Sequence, residues 1–90
     1  MTIEVGAEGN GGNFAFAPPA VRIDAGTDIN WTRTGEGGSH NVVHEDGEFR
    51  SDLIEEGGND FQHTFEEPGV SLYFCEPHKS LEMKGAVIVV

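Results

Sequence analysis

The pattern that most constrains this chain is alternation. Apolar side chains recur at every second position in short runs, and each run is cut off by glycine, proline, asparagine or acidic residues. Residues 2–5 (Thr-Ile-Glu-Val) alternate polar and apolar, and Phe14, Phe16, Val21 and Ile23 mark a second extended stretch. Ile29 and Trp31 lie two apart, as do Phe61, His63 and Phe65, and then Val70, Leu72 and Phe74. A valine-rich piece covers residues 41–44, and residues 85–90 close the chain. Residues two apart share a strand face, so this spacing predicts half-buried strands. Tyr73, between Leu72 and Phe74, faces the opposite side. No stretch sustains a 3.6-residue period, which argues against helical bundles. The reading is an all-β, Greek-key two-sheet sandwich of seven to eight strands, formed as one domain over residues 1–90.

The breaks are as informative as the runs. Residues 8–13, rich in glycine and asparagine, read as a flexible turn, and Ala25-Gly26 and Glu67-Pro68-Gly69 as tight ones. Pro18-Pro19 cannot donate to a ladder, so that interruption predicts an edge position or a bend. Residues 45–60 carry Glu45, Asp46, Glu48, Asp52, Glu55, Glu56 and Asp60 against a single cation, Arg50. They read as a solvated connection with a short helical turn around residues 51–55. Trp31 and the phenylalanines read as core, and His44 and His63 as structural rather than ligating histidines.

Sixteen acids against five bases give a formal net charge of −11. Nucleic acid and anionic lipid need clustered positive charge, which excludes both as partners. A surface so acidic keeps a protein soluble where salt screens self-repulsion, and so suggests a salt-loving source. No apolar run is long enough to span a bilayer. The chain has one cysteine, Cys75, and therefore no internal disulfide.

That cysteine stands in Cys75-Glu76-Pro77-His78-Lys79-Ser80-Leu81-Glu82-Met83, with a second imidazole upstream in Ser39-His40-Asn41-Val42-Val43. Two imidazoles, a thiolate and a thioether form the donor set of a mononuclear type 1 (blue) copper centre, in which a weak axial methionine completes a His₂Cys plane. The strand ending at Cys75 and the turn stiffened by Pro77 can present Cys75, His78 and Met83 from one loop, with His40 supplied by a neighbouring strand. A zinc site also accepts His₂Cys, but zinc rarely recruits a thioether. A nucleophilic Cys75 with His40 as base and Asn41 as orienting group would need a cleft and an oxyanion hole, and would leave Met83 unexplained. The alternative to a redox centre is a copper- or zinc-binding trafficking or structural domain without redox turnover.

These segments, with Phe16-Ala17-Pro18, residues 23–31 and Met83-Lys84-Gly85-Ala86-Val87, resemble the plastocyanin branch of the cupredoxins, and within it most closely the archaeal halocyanins. The resemblance covers nearly the whole chain. It implies a soluble electron carrier, not an enzyme, with His40, Cys75 and His78 as equatorial copper ligands and Met83 as the axial one. Asn41 would direct its backbone N–H at the sulfur and tie the two ligand segments together by its side chain, next to Pro77. His78 would be the exposed electron port, where redox partner proteins dock transiently onto a monomer. The implied setting is extracytoplasmic, with an anchor, where one exists, carried by a segment absent from this chain. Glu82 stands where relatives commonly have glycine, and Phe74 where plant relatives often carry tyrosine.

Overall fold

The structure, a computed structural model, describes residues 1–58 and 60–90. Asn59, which falls within the acidic connection, lies outside the described residues. Among the described residues eight strands form: β1 (Thr2–Gly9), β2 (Gly12–Ala17), β3 (Ala20–Ile23), β4 (Thr27–Arg33), β5 (Val43–His44), β6 (Asp60–Phe65), β7 (Gly69–Phe74) and β8 (Lys84–Val89). They divide into two four-stranded sheets of order β2-β1-β4-β6 and β3-β8-β7-β5. The pairs β1–β4 and β3–β8 are parallel, and the remaining neighbours are antiparallel. This is the Greek-key sandwich architecture.

Local chemistry sets the connections. The turn expected across residues 8–13 is a two-residue hairpin. Asn10 and Gly11 both take positive φ (57° and 87°), as the tight hairpin turns that match strand twist require. Pro18 and Pro19 lie between β2 and β3, which are edge strands of opposite sheets, so the chain crosses the sandwich where it cannot donate a ladder bond.

The inward faces meet in one core. Ile3, Val5, Ile29, Trp31 and Val87 are fully buried, with Phe16, Phe65 and Tyr73 close to it. Trp31 is its centre, with ring centroids 5.4 Å from Tyr73 in an edge-on contact and 5.7 Å from both Phe49 and Phe61. On β7 the alternation is present, but the inward residues are Tyr73 and, just past the strand's end, Cys75. Val70 and Leu72 face outward, 65% and 46% exposed, and Phe74 sits beneath the Lys79 ammonium at 4.2 Å. Phe74 therefore departs from the expected core assignment. The physical reason is pairing: Phe74 lies opposite Lys84, and Val70 opposite Ile88, on the outer side of β8.

Two further expectations are corrected. The piece at residues 41–44 is a strand only over Val43–His44. The helical turn expected around residues 51–55 is absent; the chain there is extended. It makes isolated antiparallel bridges, His40 to Ile54 and Val43 to Arg50. Ser51 is drawn inside to accept the Val42 N–H on its hydroxyl at 2.7 Å, and that bond competes with helix formation. His44 stacks on Phe49 with ring centroids 4.8 Å apart, and His63 packs against the same ring at a tilt, 4.5 Å away. No helix among the described residues is long and apolar enough to cross a membrane.

Candidate metal centre

Cys75 follows β7 directly in extended conformation (φ −99°, ψ 120°), and a 3₁₀ turn runs over Glu76–Leu81 with Pro77 in its first positions. The loop is closed at its root. The Cys75 N–H donates to the Met83 carbonyl at 3.0 Å and the Met83 N–H to the His78 carbonyl at 3.3 Å. Glu82 provides the reversal in left-handed conformation (φ 65°, ψ 29°), its N–H donating to the Lys79 carbonyl at 3.0 Å. That conformation suits glycine best, so Glu82 carries a conformational cost there. The Asn10 amide also reaches the Glu82 carbonyl at 3.3 Å from the β1–β2 hairpin.

Three donors converge. The Cys75 sulfur lies 3.6 Å from His40 Nδ1 and 3.4 Å from His78 Nδ1, and all three atoms fall within 4.8 Å of one another. Donors each about 2 Å from a shared ion, at trigonal angles, stand about 3.5 Å apart, so the triangle has the size a metal requires. Met83 is fully buried, and its backbone is pinned to both Cys75 and His78. Cys75 and His40 are buried, His78 half-buried with the Phe14 ring 4.7 Å away.

The surroundings orient each donor. His40 Nε2 lies 2.7 Å from the Glu36 carbonyl. A carbonyl only accepts, so Nε2 carries the proton and Nδ1 presents its lone pair to the sulfur side. Gly6 and Gly37, both at positive φ, leave room for that ring: a Cβ on either would stand 3.0 or 2.9 Å from Nε2. Asn41 bridges the two ligand segments. Its amide donates to a Glu76 carboxylate oxygen at 2.8 Å, and its carbonyl oxygen accepts the Glu76 N–H at 2.9 Å. Arg50 completes this arm as an ion pair with Glu76. Bonds from Asn41, then from Arg50, hold the Glu76 carboxyl below its usual range.

Burial pushes the Cys75 thiol above its ordinary value, partly offset by the backbone N–H groups of Asn41 and His78. Burial likewise lowers His40, against the pull of the Glu36 carbonyl. Without metal, the site therefore keeps a neutral thiol and a neutral imidazole, and a metal entering it must displace the thiol proton. Glu36, Arg33, Ser51 and Phe14 touch the site or its supports without having been singled out from the sequence. Arg33 was within reach of it, since Ile29, Trp31 and Arg33 alternate onto one face of β4. Glu36 acts through its backbone, which no side-chain pattern announces.

Known proteins match this arrangement over its full extent. The family model described as copper binding proteins, plastocyanin/azurin family, matches residues 2–90. A halocyanin from Natronomonas pharaonis is 50% identical over 92 residues, covering 99% of this chain and 55% of the halocyanin, so the chain spans about half of that relative. A plastocyanin from Scenedesmus fuscus is 31% identical over 99% of this chain and 98% of its own. Among solved structures, the oxidized plastocyanin of Dryopteris crassirhizoma superposes with a TM-score of 0.77 at 28% identity, covering all of both chains. A purple cupredoxin from Nitrosopumilus maritimus gives 0.78 at 28% identity, over 100% of this chain and 99% of its own. The fold, the His-Cys-His triangle and these matches place the chain in the plastocyanin/azurin family of copper-binding proteins, the blue-copper cupredoxins.

Proposed function

We propose that this domain is a one-electron carrier whose copper is held by His40, Cys75 and His78, with Met83 as the weak axial donor. The observation that carries the reading is the donor triangle, two Nδ1 atoms within 3.6 Å of one sulfur on rigid supports. Bound copper supplies the Cu(II)/Cu(I) couple. The chain's own residues hold the geometry. Glu36 fixes the His40 tautomer, Asn41 ties the two ligand segments, and the loop root clamps Met83 to Cys75. A frame that stays fixed while the charge changes keeps reorganisation small, which suits electron transfer.

His78 is the electron port in this reading, being the half-buried imidazole of the pair. It shares its turn with Leu81, 42% exposed, so the loop offers an apolar contact for transient docking of a redox partner. The domain works as a single unit and a monomer, in an extracytoplasmic setting suggested by the family resemblance, with an anchor, where one exists, outside these residues.

Adding Cu(II) to the purified protein tests the reading. An intense blue thiolate-to-copper band that Cys75→Ser abolishes supports it. A colourless adduct overturns it in favour of zinc or trafficking. Met83→Leu keeps the colour and raises the potential, because a donor to the oxidised ion is lost. An unchanged potential would remove Met83 from the ligand set.

A further inference from the structure

Four of the five cations, Arg22, Arg50, Lys79 and Lys84, lie on the surface. The fifth, Arg33, is 5% exposed and ends the inward face of β4 behind Trp31. Its Nη2 donates to the Asp52 carbonyl at 2.7 Å and to the Ser51 hydroxyl at 3.2 Å, and its Nε points at the His40 carbonyl at 3.4 Å. That carbonyl also accepts the Ile54 N–H at 3.1 Å, while the His40 N–H donates to the Ile54 carbonyl at 3.0 Å. The same Ser51 hydroxyl takes the Val42 N–H. One guanidinium fork thus spans from the first sheet to both strands of the short ladder that carries His40.

A buried charge costs several kcal/mol unless hydrogen bonds and opposite charge compensate it. The Asp52 and Asp60 carboxylates, and Cys75 to a lesser degree, steady the guanidinium against the cost of burial. Its bonds to the His40 carbonyl, the Ser51 hydroxyl and the Asp52 carbonyl fix that charge beside the segment that carries an equatorial ligand. A fixed positive charge near the centre disfavours Cu(II) relative to Cu(I), since the oxidised site carries one more positive charge.

We propose that Arg33 is a positioning residue of the copper centre: its fork locks the His40 segment to residues 51–54, and its buried charge raises the reduction potential. This rests on the copper reading above. The two effects separate by substitution. Arg33→Lys keeps the charge and loses the planar fork, and Arg33→Gln loses both.

The test uses both variants, copper-loaded and copper-free. The loaded proteins are titrated with ferrocyanide and ferricyanide while the blue band is followed. Arg33→Gln is expected to need a lower potential for half-reduction, by about tenfold in the Cu(I)/Cu(II) ratio, or about 59 mV for one electron. Arg33→Lys is expected to stay near the parent. In the copper-free proteins, amide exchange at His40 and Ile54 is expected to speed about tenfold or more in both variants, beyond any change in urea-measured global stability. A parental potential in Arg33→Gln overturns the electrostatic role, and parental exchange in Arg33→Lys overturns the tether. Should Arg33→Gln not fold, a potential in Arg33→Lys as far below the parent as tenfold overturns the charge argument instead. Absence of a blue band in the parent would sink the copper reading, and the exchange experiment would still decide the tether.

Discussion

Two adjacent glycines allow the frame around His40 to be weighed directly. Gly37 and Gly38 both sit at φ +81°. A Cβ on Gly38 meets nothing within 4 Å. A Cβ on Gly37 collides with the Asn13 carbonyl oxygen and stands 2.9 Å from His40 Nε2. The conformational cost of alanine is therefore shared: about 1–2 kcal/mol for a left-handed non-glycine residue, reduced by about 0.4–1 kcal/mol because alanine restricts the unfolded chain. Gly38→Ala should lose about 1 kcal/mol. Gly37→Ala carries in addition an overpacking cost of about 1–3 kcal/mol against backbone that cannot step aside. The total, about 2–4 kcal/mol, is a large share of the roughly 5–15 kcal/mol that small domains possess. Urea unfolding of the two copper-free variants reads the difference with the shared term cancelled. In a domain of this size each kcal/mol also moves the melting temperature by about 4–8 °C. Because the collision pushes on the atom that bonds Glu36, Gly37→Ala should also weaken the blue band on copper addition, whereas Gly38→Ala should not. Equal losses in the two variants, within about 0.5 kcal/mol, would refute the close packing of glycine backbone on the imidazole.

The copper-free protein should be most stable in a window bounded by two burial effects. His40 and His63 are held below their ordinary 6.5, so the unfolded chain binds protons first and stability falls as pH drops below about that value. Cys75 is held above 9.0, so its contribution is complete below that pH and is lost as pH rises through the higher folded value; in Cys75→Ala, urea midpoints against pH should lose the part of the alkaline fall that begins near pH 9 and keep the part above pH 10 that the buried Tyr73 phenol contributes. Tyr73→Phe should be neutral or stabilise by up to about 1 kcal/mol, because the buried hydroxyl has no partner within hydrogen-bond geometry among the described residues, and burial pushes the phenol up to about 12, the Trp31 N–H being too poorly placed to offset more than a part of that; a loss above about 1 kcal/mol on urea unfolding would show a bond the hydroxyl needs. Asn41→Ala removes both links to Glu76 and should cost about 1–3 kcal/mol and speed copper loss to a chelator; unchanged loss kinetics would mean the two ligand segments hold together without it.

What the sequence could show, and what it could not, divides along physical lines. Strands were legible because a two-residue period is a local property, and the breaks at Asn10-Gly11 and Pro18-Pro19 follow from local backbone preference. The ligand loop was legible because its donors are side chains of distinctive chemistry packed into nine residues. The polarity of β7 was not. Val70, Leu72 and Phe74 look like a core stripe until their partners on β8 are known, and their pairing with Ile88, Ala86 and Lys84 puts them outside. Residues 50–54 were misjudged for a related reason. A chain rich in acids reads as solvated, yet the Ser51 hydroxyl and the Ile54 backbone are the partners that the His40 segment has available.

The supports of the site share one trait that explains why they stay hidden: they act through backbone carbonyls and through missing side chains. Glu36 contributes a carbonyl, Gly6 and Gly37 contribute space, and Met83 is aligned by main-chain bonds before its sulfur is considered. Such groups carry no residue-type signature. Arg33 is the exception, because a cation at the third inward position of β4 breaks the apolar pattern of Ile29 and Trp31. A charge placed where alternation demands an apolar residue has to be compensated, and compensation means fixed partners. Here those partners are the carbonyl of the upstream ligand, His40, and Ser51 and the Asp52 carbonyl on the segment bridged to it. The violation of the folding pattern and the support of the metal centre are the same residue, so a strand position that packs badly by pattern marks where this fold gives up core stability to set the site.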